Sequence, residues 1–167
     1  TAAGPGWAAC TRLAAPGDHH AANATLALAA IARLGLVPAD DLARAARVLA
    51  QTRLPGRTET VSASAPWVIV DGAHTRASMR ALVEAVRSLE PARLHLLLSV
   101  SSSKDASALL DPLLADADAV TTTRADPDYS LDAATLAEIV RFVRPELPVT
   151  ALEEPDEATR AACRAAD

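Results

Sequence analysis

Hydrophobic positions along the chain follow one period at first and another later. From about Ala21 to Leu34 they fall on a helical face, with Leu26, Ala30, Ile31 and Leu34 together. Gly35 ends that run. Pro38 and Asp40 open a second helical run to about Gln51, with Leu42, Ala45, Ala46 and Leu49 inward. The two runs predict a helical hairpin. Residues 1–18 show no clear period and are expected to be irregular. Thr52 to Thr58 is rich in Pro and Gly and marks the expected domain boundary.

Beyond it, strand and helix signals alternate. Thr60–Ala63 and Trp67–Val70 read as strands, and Thr75–Leu89 as a helix through Met79, Leu82, Val83 and Val86. Leu94–Val100 is continuously apolar, as in a strand buried on both faces. A helix follows over Lys104–Leu114, a strand over Ala119–Thr123 and a helix over Leu131–Val143. A short strand over Val149–Leu152 and a last helix over Asp156–Ala166 complete the series. Such alternation implies βαβ units and a mostly parallel sheet of an α/β protein. The chain stops on a helix, so a closing strand is expected outside it, and the absence of an initiator Met suggests a piece of a longer protein.

Composition narrows the partners. Half of the 167 residues are hydrophobic, enough for a packed core, but aromatics are 2%, so Ala, Leu and Val must build it. The net charge is −5 and Lys104 is the sole lysine. Without a basic stripe, nucleic acid is not the expected partner, while a small anion remains possible. No apolar run is long enough to span a bilayer. Cys10 and Cys163 have no metal spacing and read as reduced thiols of a cytoplasmic protein.

Several polar groups sit where such a sheet binds ligands, at the C-terminal ends of strands. Leu54-Pro55-Gly56-Arg57 places an arginine on a tight turn. Asp71-Gly72-Ala73-His74 ends a hydrophobic strand. Arginine suits phosphate and aspartate suits a ribose hydroxyl. Equally, Arg57 can be a solvated arginine, Asp71 a cap for the next helix and His74 a satisfied loop histidine. Asn23 offers donor and acceptor together to an adenine edge. His19 and His20 are neighbours without a third ligand at metal spacing, so a helix-start role, with Asp18 or His19 near the cap, is the simpler reading. Lys104, after Ser101-Ser102-Ser103, is either an anion contact at a helix start or a surface residue. Arg124-Ala125-Asp126 is a weaker version of the same idea, and His95 reads as a core or edge histidine. No P-loop, zinc motif or dinucleotide fingerprint is present.

Three blocks, in order, resemble folylpolyglutamate synthase, often bifunctional with dihydrofolate synthase, in the Mur ligase superfamily. Gly17-Asp18-His19-His20-Ala21-Ala22-Asn23-Ala24 resembles a Gly-x-His-Gln-x-x-Asn-Ala segment. Leu54-Pro55-Gly56-Arg57 resembles a Trp-Pro-Gly-Arg turn. Val68-Ile69-Val70-Asp71-Gly72-Ala73-His74 resembles a strand ending in Asp-Gly-Ala-His-Asn. Ser103-Lys104-Asp105 and Arg124-Ala125 fit two further regions more loosely. His20 stands where the family has glutamine, and Thr75 where it has asparagine.

The resemblance implies a fold and a chemistry. Residues 1–53 would be the helical end of a central ATP-binding domain. Residues 54–167 would be the Rossmann-like C-terminal ligase domain, a mostly parallel sheet flanked by helices. The family uses ATP to turn a folate carboxylate into an acyl phosphate, which glutamate attacks. Asn23 would contact adenine, Arg57 phosphate, Asp71 ribose, and His74 and Lys104 further parts of the nucleotide, with Arg57 and His74 counted as catalytic. Mg2+ would bridge the phosphates from ligands outside this chain. Folate, glutamate and ATP would be the small-molecule partners of a monomeric parent enzyme. The P-loop lies in the family's N-terminal region, so the chain alone is not expected to ligate. Another Mur-type ligase, of peptidoglycan-precursor or cyanophycin synthesis, and a non-catalytic nucleotide-binding module are the alternatives.

Overall fold

The computed structural model describes residues 1–4 and 6–166. Strands β1 (Ala2–Gly4) and β2 (Trp7–Ala9) pair antiparallel, where the sequence suggested irregular chain. The segment is too short for a period-2 signal, and its alanines carry little strand preference. Helices α1 (Asp18–Arg33) and α2 (Leu42–Gln51) form the expected hairpin. Leu28, Leu42 and Ala46 bury against Ala2 and Ala9 in a small core of their own. The face expected for α1 is not the buried one: Leu26, Ala30 and Leu34 are exposed and only Ile31 of that set packs partly on this core, because the helix turns Leu28 toward β1, β2 and α2. Gly17, not Asp18 or His19, is the N-cap of α1, and no side chain caps it.

Strands β3 (Glu59–Ser62) and β4 (Val68–Val70) follow the Pro-Gly turn. They pair antiparallel as a separate two-stranded sheet, with a register shift between Thr60 and Ser62. The expected mostly parallel arrangement holds for the later strands β5 (His95–Leu98), β6 (Ala119–Thr122) and β7 (Val149–Ala151), which pair parallel in sequence order. A short loop joins β3 to β4 and permits antiparallel pairing, whereas the later strands are separated by helices.

Those helices start on side-chain caps. In α3 (Arg76–Arg87), Thr75 and Ser78 form a reciprocal capping box. Asp105 accepts from the Ala108 amide at the start of α4 (Ala106–Leu114), and Asp132 from the Thr135 amide at the start of α5 (Ala133–Val143). Pro155 opens α6 (Pro155–Ala166), a position where the missing N–H costs nothing. The main core joins Leu96, Leu110, Leu114, Val120, Leu136 and Val140 with Met79 and Val83 of α3.

Strand β5 is not buried on both faces. Leu94, Leu96 and Leu98 point to the core, but Leu97 points the other way and is 39% exposed. It lies at the edge of the sheet, and the buried side chains of the helix packed there, α6, are only Ala158 and Ala162.

Candidate functional site

The site is built on two loops held together by their backbones. The Arg57 amide donates to the Leu54 carbonyl at 3.1 Å, with Pro55 and Gly56 between them. Gly56 has φ +65°, so the turn is type II, which favours Pro then Gly at its centre. The Gly56 amide donates to Glu59 Oε2 at 2.9 Å. The Gly72 amide donates to the Gly56 carbonyl at 2.8 Å, which ties the arginine turn to the end of β4.

Asp71 is half-buried beside that tie. Its Oδ2 accepts from the Thr58 amide at 2.6 Å and the Thr58 hydroxyl at 3.0 Å; its Oδ1 accepts from the Ala73 amide at 2.7 Å. A carboxylate oxygen has two acceptor sites, so Oδ2 is filled and Oδ1 keeps one. Asp71 does not cap α3; Thr75 does.

Thr58 also meets His20 of α1, whose Nε2 lies 3.2 Å from Thr58 Oγ1. Because the Thr58 hydroxyl spends its proton on Asp71, His20 Nε2 must be the donor, which assigns the tautomer. Burial lowers the His20 pKa from its ordinary value; His19 and Arg57 lower it further, while Asp71 opposes them. Asn23 is one turn along α1 from His20, on the same side of the helix, and is exposed. Arg57 is exposed too, and forms no ion pair among the described residues.

His74 and Lys104 are brought together elsewhere in the site. With Thr75, Arg76, Asp105, Ala108 and Leu109 they line an open cleft of about 160 Å³. That is below the roughly 300–1,000 Å³ of a pocket enclosing a drug-sized ligand, so the cleft holds at most part of one. His74 Nδ1 donates to the Gly72 carbonyl at 2.9 Å, leaving Nε2 as the ring's free acceptor while the histidine is neutral. Arg76, which nothing in the sequence singled out, adds a cation to the cleft. Thr58 was missed as well: nothing in its neighbourhood signals a buried threonine with φ +46°.

Other polar groups are occupied structurally. Arg124 pairs with Glu153 at 3.5 Å and donates to the Pro127 carbonyl, tying the loop after β6 to the end of β7. His95 Nε2 meets Thr121 Oγ1 at 2.8 Å between strands β5 and β6. The His19 and His20 rings lie with centroids 4.0 Å apart, and no group of three His, Cys, Asp or Glu able to hold a metal occurs among the described residues. No helix among them is long and apolar enough to cross a membrane.

Comparison with known proteins identifies the family. Residues 56–167 match the family model for the Mur ligase glutamate ligase domain. A UDP-N-acetylmuramoyl-L-alanyl-D-glutamate–2,6-diaminopimelate ligase of Corynebacterium efficiens is 34% identical over 136 residues, 79% of this chain and 25% of that protein. A probable bifunctional folylpolyglutamate synthase/dihydropteroate synthase of Halobacterium salinarum is 32% identical, over 81% of this chain and 16% of that protein. Among solved structures, Mycobacterium tuberculosis folylpolyglutamate synthase complexed with ADP and AMPPCP superposes with a TM-score of 0.79 at 32% identity, covering 92% of this chain and 34% of that one. Bifunctional folylpolyglutamate synthase/dihydrofolate synthase of Yersinia pestis, complexed with AMPPNP and Mn, gives a TM-score of 0.67 at 25% identity, covering 78% and 30%. The chain thus spans 16–34% of the length of these proteins. It belongs to the Mur ligase family and carries that family's C-terminal glutamate ligase domain.

Proposed function

We propose that the chain is part of an ATP-dependent acid–amino-acid ligase of the folylpolyglutamate synthase type, adding glutamate to folate through an acyl phosphate. The observation that carries this is the pairing of Asp71 and Arg57. The Gly56–Gly72 tie sets the Arg57 turn beside a carboxylate whose Oδ1 retains one acceptor site, the right group for a ribose hydroxyl. The exposed Arg57 guanidinium suits a phosphate, and Asn23, reached through His20, suits an adenine edge. His74 and Lys104 border a cleft sized for a small anionic group. The ADP and AMPPCP in the superposed mycobacterial enzyme support a nucleotide here.

Residues 54–167 form one wall of that site in this reading, and residues 1–53 the end of the central ATP-binding domain. Two separate hydrophobic clusters, one in the helical hairpin and one in the parallel-sheet unit, favour this division. Activating a carboxylate with ATP is phosphoryl transfer, in which positioning and charge neutralisation do most of the catalysis. Arg57 would meet charge developing on the transferred phosphoryl group. Mg2+ would add charge neutralisation when bound. Its protein ligands are expected in the family's N-terminal region, with the P-loop. The chain carries no P-loop motif, so alone it should not ligate. A cytoplasmic, monomeric parent acting on small molecules completes the reading.

A second reading rests on the Corynebacterium efficiens relative: a ligase joining diaminopimelate to a UDP-muramoyl dipeptide. One assay separates the two. ADP release by the complete parent protein is measured with folate plus glutamate, and separately with UDP-N-acetylmuramoyl-L-alanyl-D-glutamate plus diaminopimelate. Turnover with the folate pair supports the first reading; turnover only with the muramoyl pair replaces it.

A further inference from the structure

We propose that Thr58 is a positioning residue: its amide and hydroxyl fix the Asp71 carboxylate so that Oδ1 alone stays open to a ligand, and its bond to His20 makes that orientation depend on α1. The inference rests on the nucleotide reading for what Asp71 binds, but not for the relay itself.

The backbone of Thr58 carries the argument. At φ +46° it lies in the left-handed region, which a β-branched residue rarely adopts, and the residue is wholly buried. Glycine or asparagine would occupy that conformation more easily. The threonine hydroxyl, however, accepts from His20 and donates to Asp71 through a single oxygen, at 3.2 and 3.0 Å, which glycine cannot do. The left-handed turn also aims the amide and hydroxyl of one residue at the same oxygen, Oδ2, at 2.6 and 3.0 Å. Strain of this kind persists where the surroundings over-determine it, and it clusters at functional sites.

The His20 end has independent support. Gly17, at the start of α1, sits so close to α3 that a Cβ there would lie 3.0 Å from the Ala85 Cβ. Helix α1 is therefore held against the ligase unit at two points, Gly17 on Ala85 and His20 on Thr58. Movement of α1 relative to α3 would pull on Thr58, and through it on Asp71.

The test uses the chain with its His20 ring followed by 15N NMR, and ADP as the probe ligand. Wild type should show the Nε2–H tautomer. Asp71→Asn should shift the His20 ring signals, and Thr58→Val should abolish that response. An Asp71→Asn change that leaves His20 unmoved, or moves it equally in the Thr58→Val background, overturns the relay. For ligand positioning, Thr58→Val should weaken ADP binding roughly tenfold, as expected for losing one hydrogen bond to a charged acceptor, and Thr58→Ser should restore it. ADP affinity unchanged in Thr58→Val overturns the positioning role. If Thr58→Val does not fold, His20→Leu against His20→Gln is read on the Asp71 carboxyl carbon. A shift in the first alone supports the relay, and no shift in either overturns it. A chain that binds no ADP while the His20 response persists overturns the nucleotide reading and leaves the relay standing.

Discussion

The Gly72 amide donates to the Gly56 carbonyl at 2.8 Å, so two glycines 16 positions apart join the arginine turn to the aspartate strand. Their demands differ. Gly56 has φ +65° with open space around it, whereas a Cβ on Gly72 would meet the Gly56 carbonyl oxygen at 3.5 Å, an ordinary contact. Gly56→Ala should therefore cost about 1–2 kcal/mol through left-handed strain. Gly72→Ala should cost under about 0.5 kcal/mol, like other surface substitutions away from special features. Urea unfolding of the two variants checks the contrast.

Arg57 has no ion-pair partner within the described chain, so its charge is available to a ligand. In the complete parent enzyme, Arg57→Ala should lose about 2–4 kcal/mol of transition-state stabilisation, by analogy with one positioned donor to a developing anion. Steady-state turnover measures it. A fall of less than tenfold would argue against a phosphate contact.

His20 gives a pH dependence with a definite sign. Burial and the neighbouring His19 and Arg57 favour its neutral form, Asp71 pulls the other way, and the net effect is a pKa below the ordinary 6.5. The unfolded chain then binds more protons than the folded one between those two values. The contribution is complete above pH 6.5 and is lost as pH falls through the lowered folded pKa. Between pH 7.5 and pH 5, wild type should lose more stability than His20→Gln. Equal losses would show that His20 does not titrate abnormally.

Packing predicts a sharp contrast on one helix. Leu136 is wholly buried in the main core, and Phe142, also on α5, is 84% exposed. Leu136→Ala should cost about 2–5 kcal/mol and Phe142→Ala within about 0.5 kcal/mol. Thermal or urea denaturation of both variants tests whether the core is placed correctly.

Much of the fold was legible because its signals are local. The runs of α2, α3 and α5 followed from their apolar spacing. The Pro-Gly turn was legible for the same reason. Helix α1 was legible as a helix, but its buried face was not, since Leu28 rather than Leu26 or Leu34 turns inward. Pairing was less so. Two strands joined by a short loop read like any others until their register is known, which concealed the antiparallel β3–β4 pair. Leu97 misled because period alone cannot say whether a covering helix brings large or small side chains. Within the site, Arg57 and Asp71 stood out by residue type beside a turn and a strand end. Thr58 did not, because its role comes from a backbone angle and two partners, at positions 20 and 71, that are distant in sequence. The cleft joining His74 to Lys104 likewise depends on how the loops after β4 and β5 approach each other.

The central claim is that this chain presents a nucleotide-binding wall centred on Arg57 and Asp71. A titration of the 15N-labelled chain with ADP tests it most directly. The account predicts one saturable event that moves the amide signals of Asn23, Arg57, Gly72 and His74 together and is weakened in Asp71→Ala. Saturation that leaves those signals still, or binding unchanged in Asp71→Ala, would contradict it.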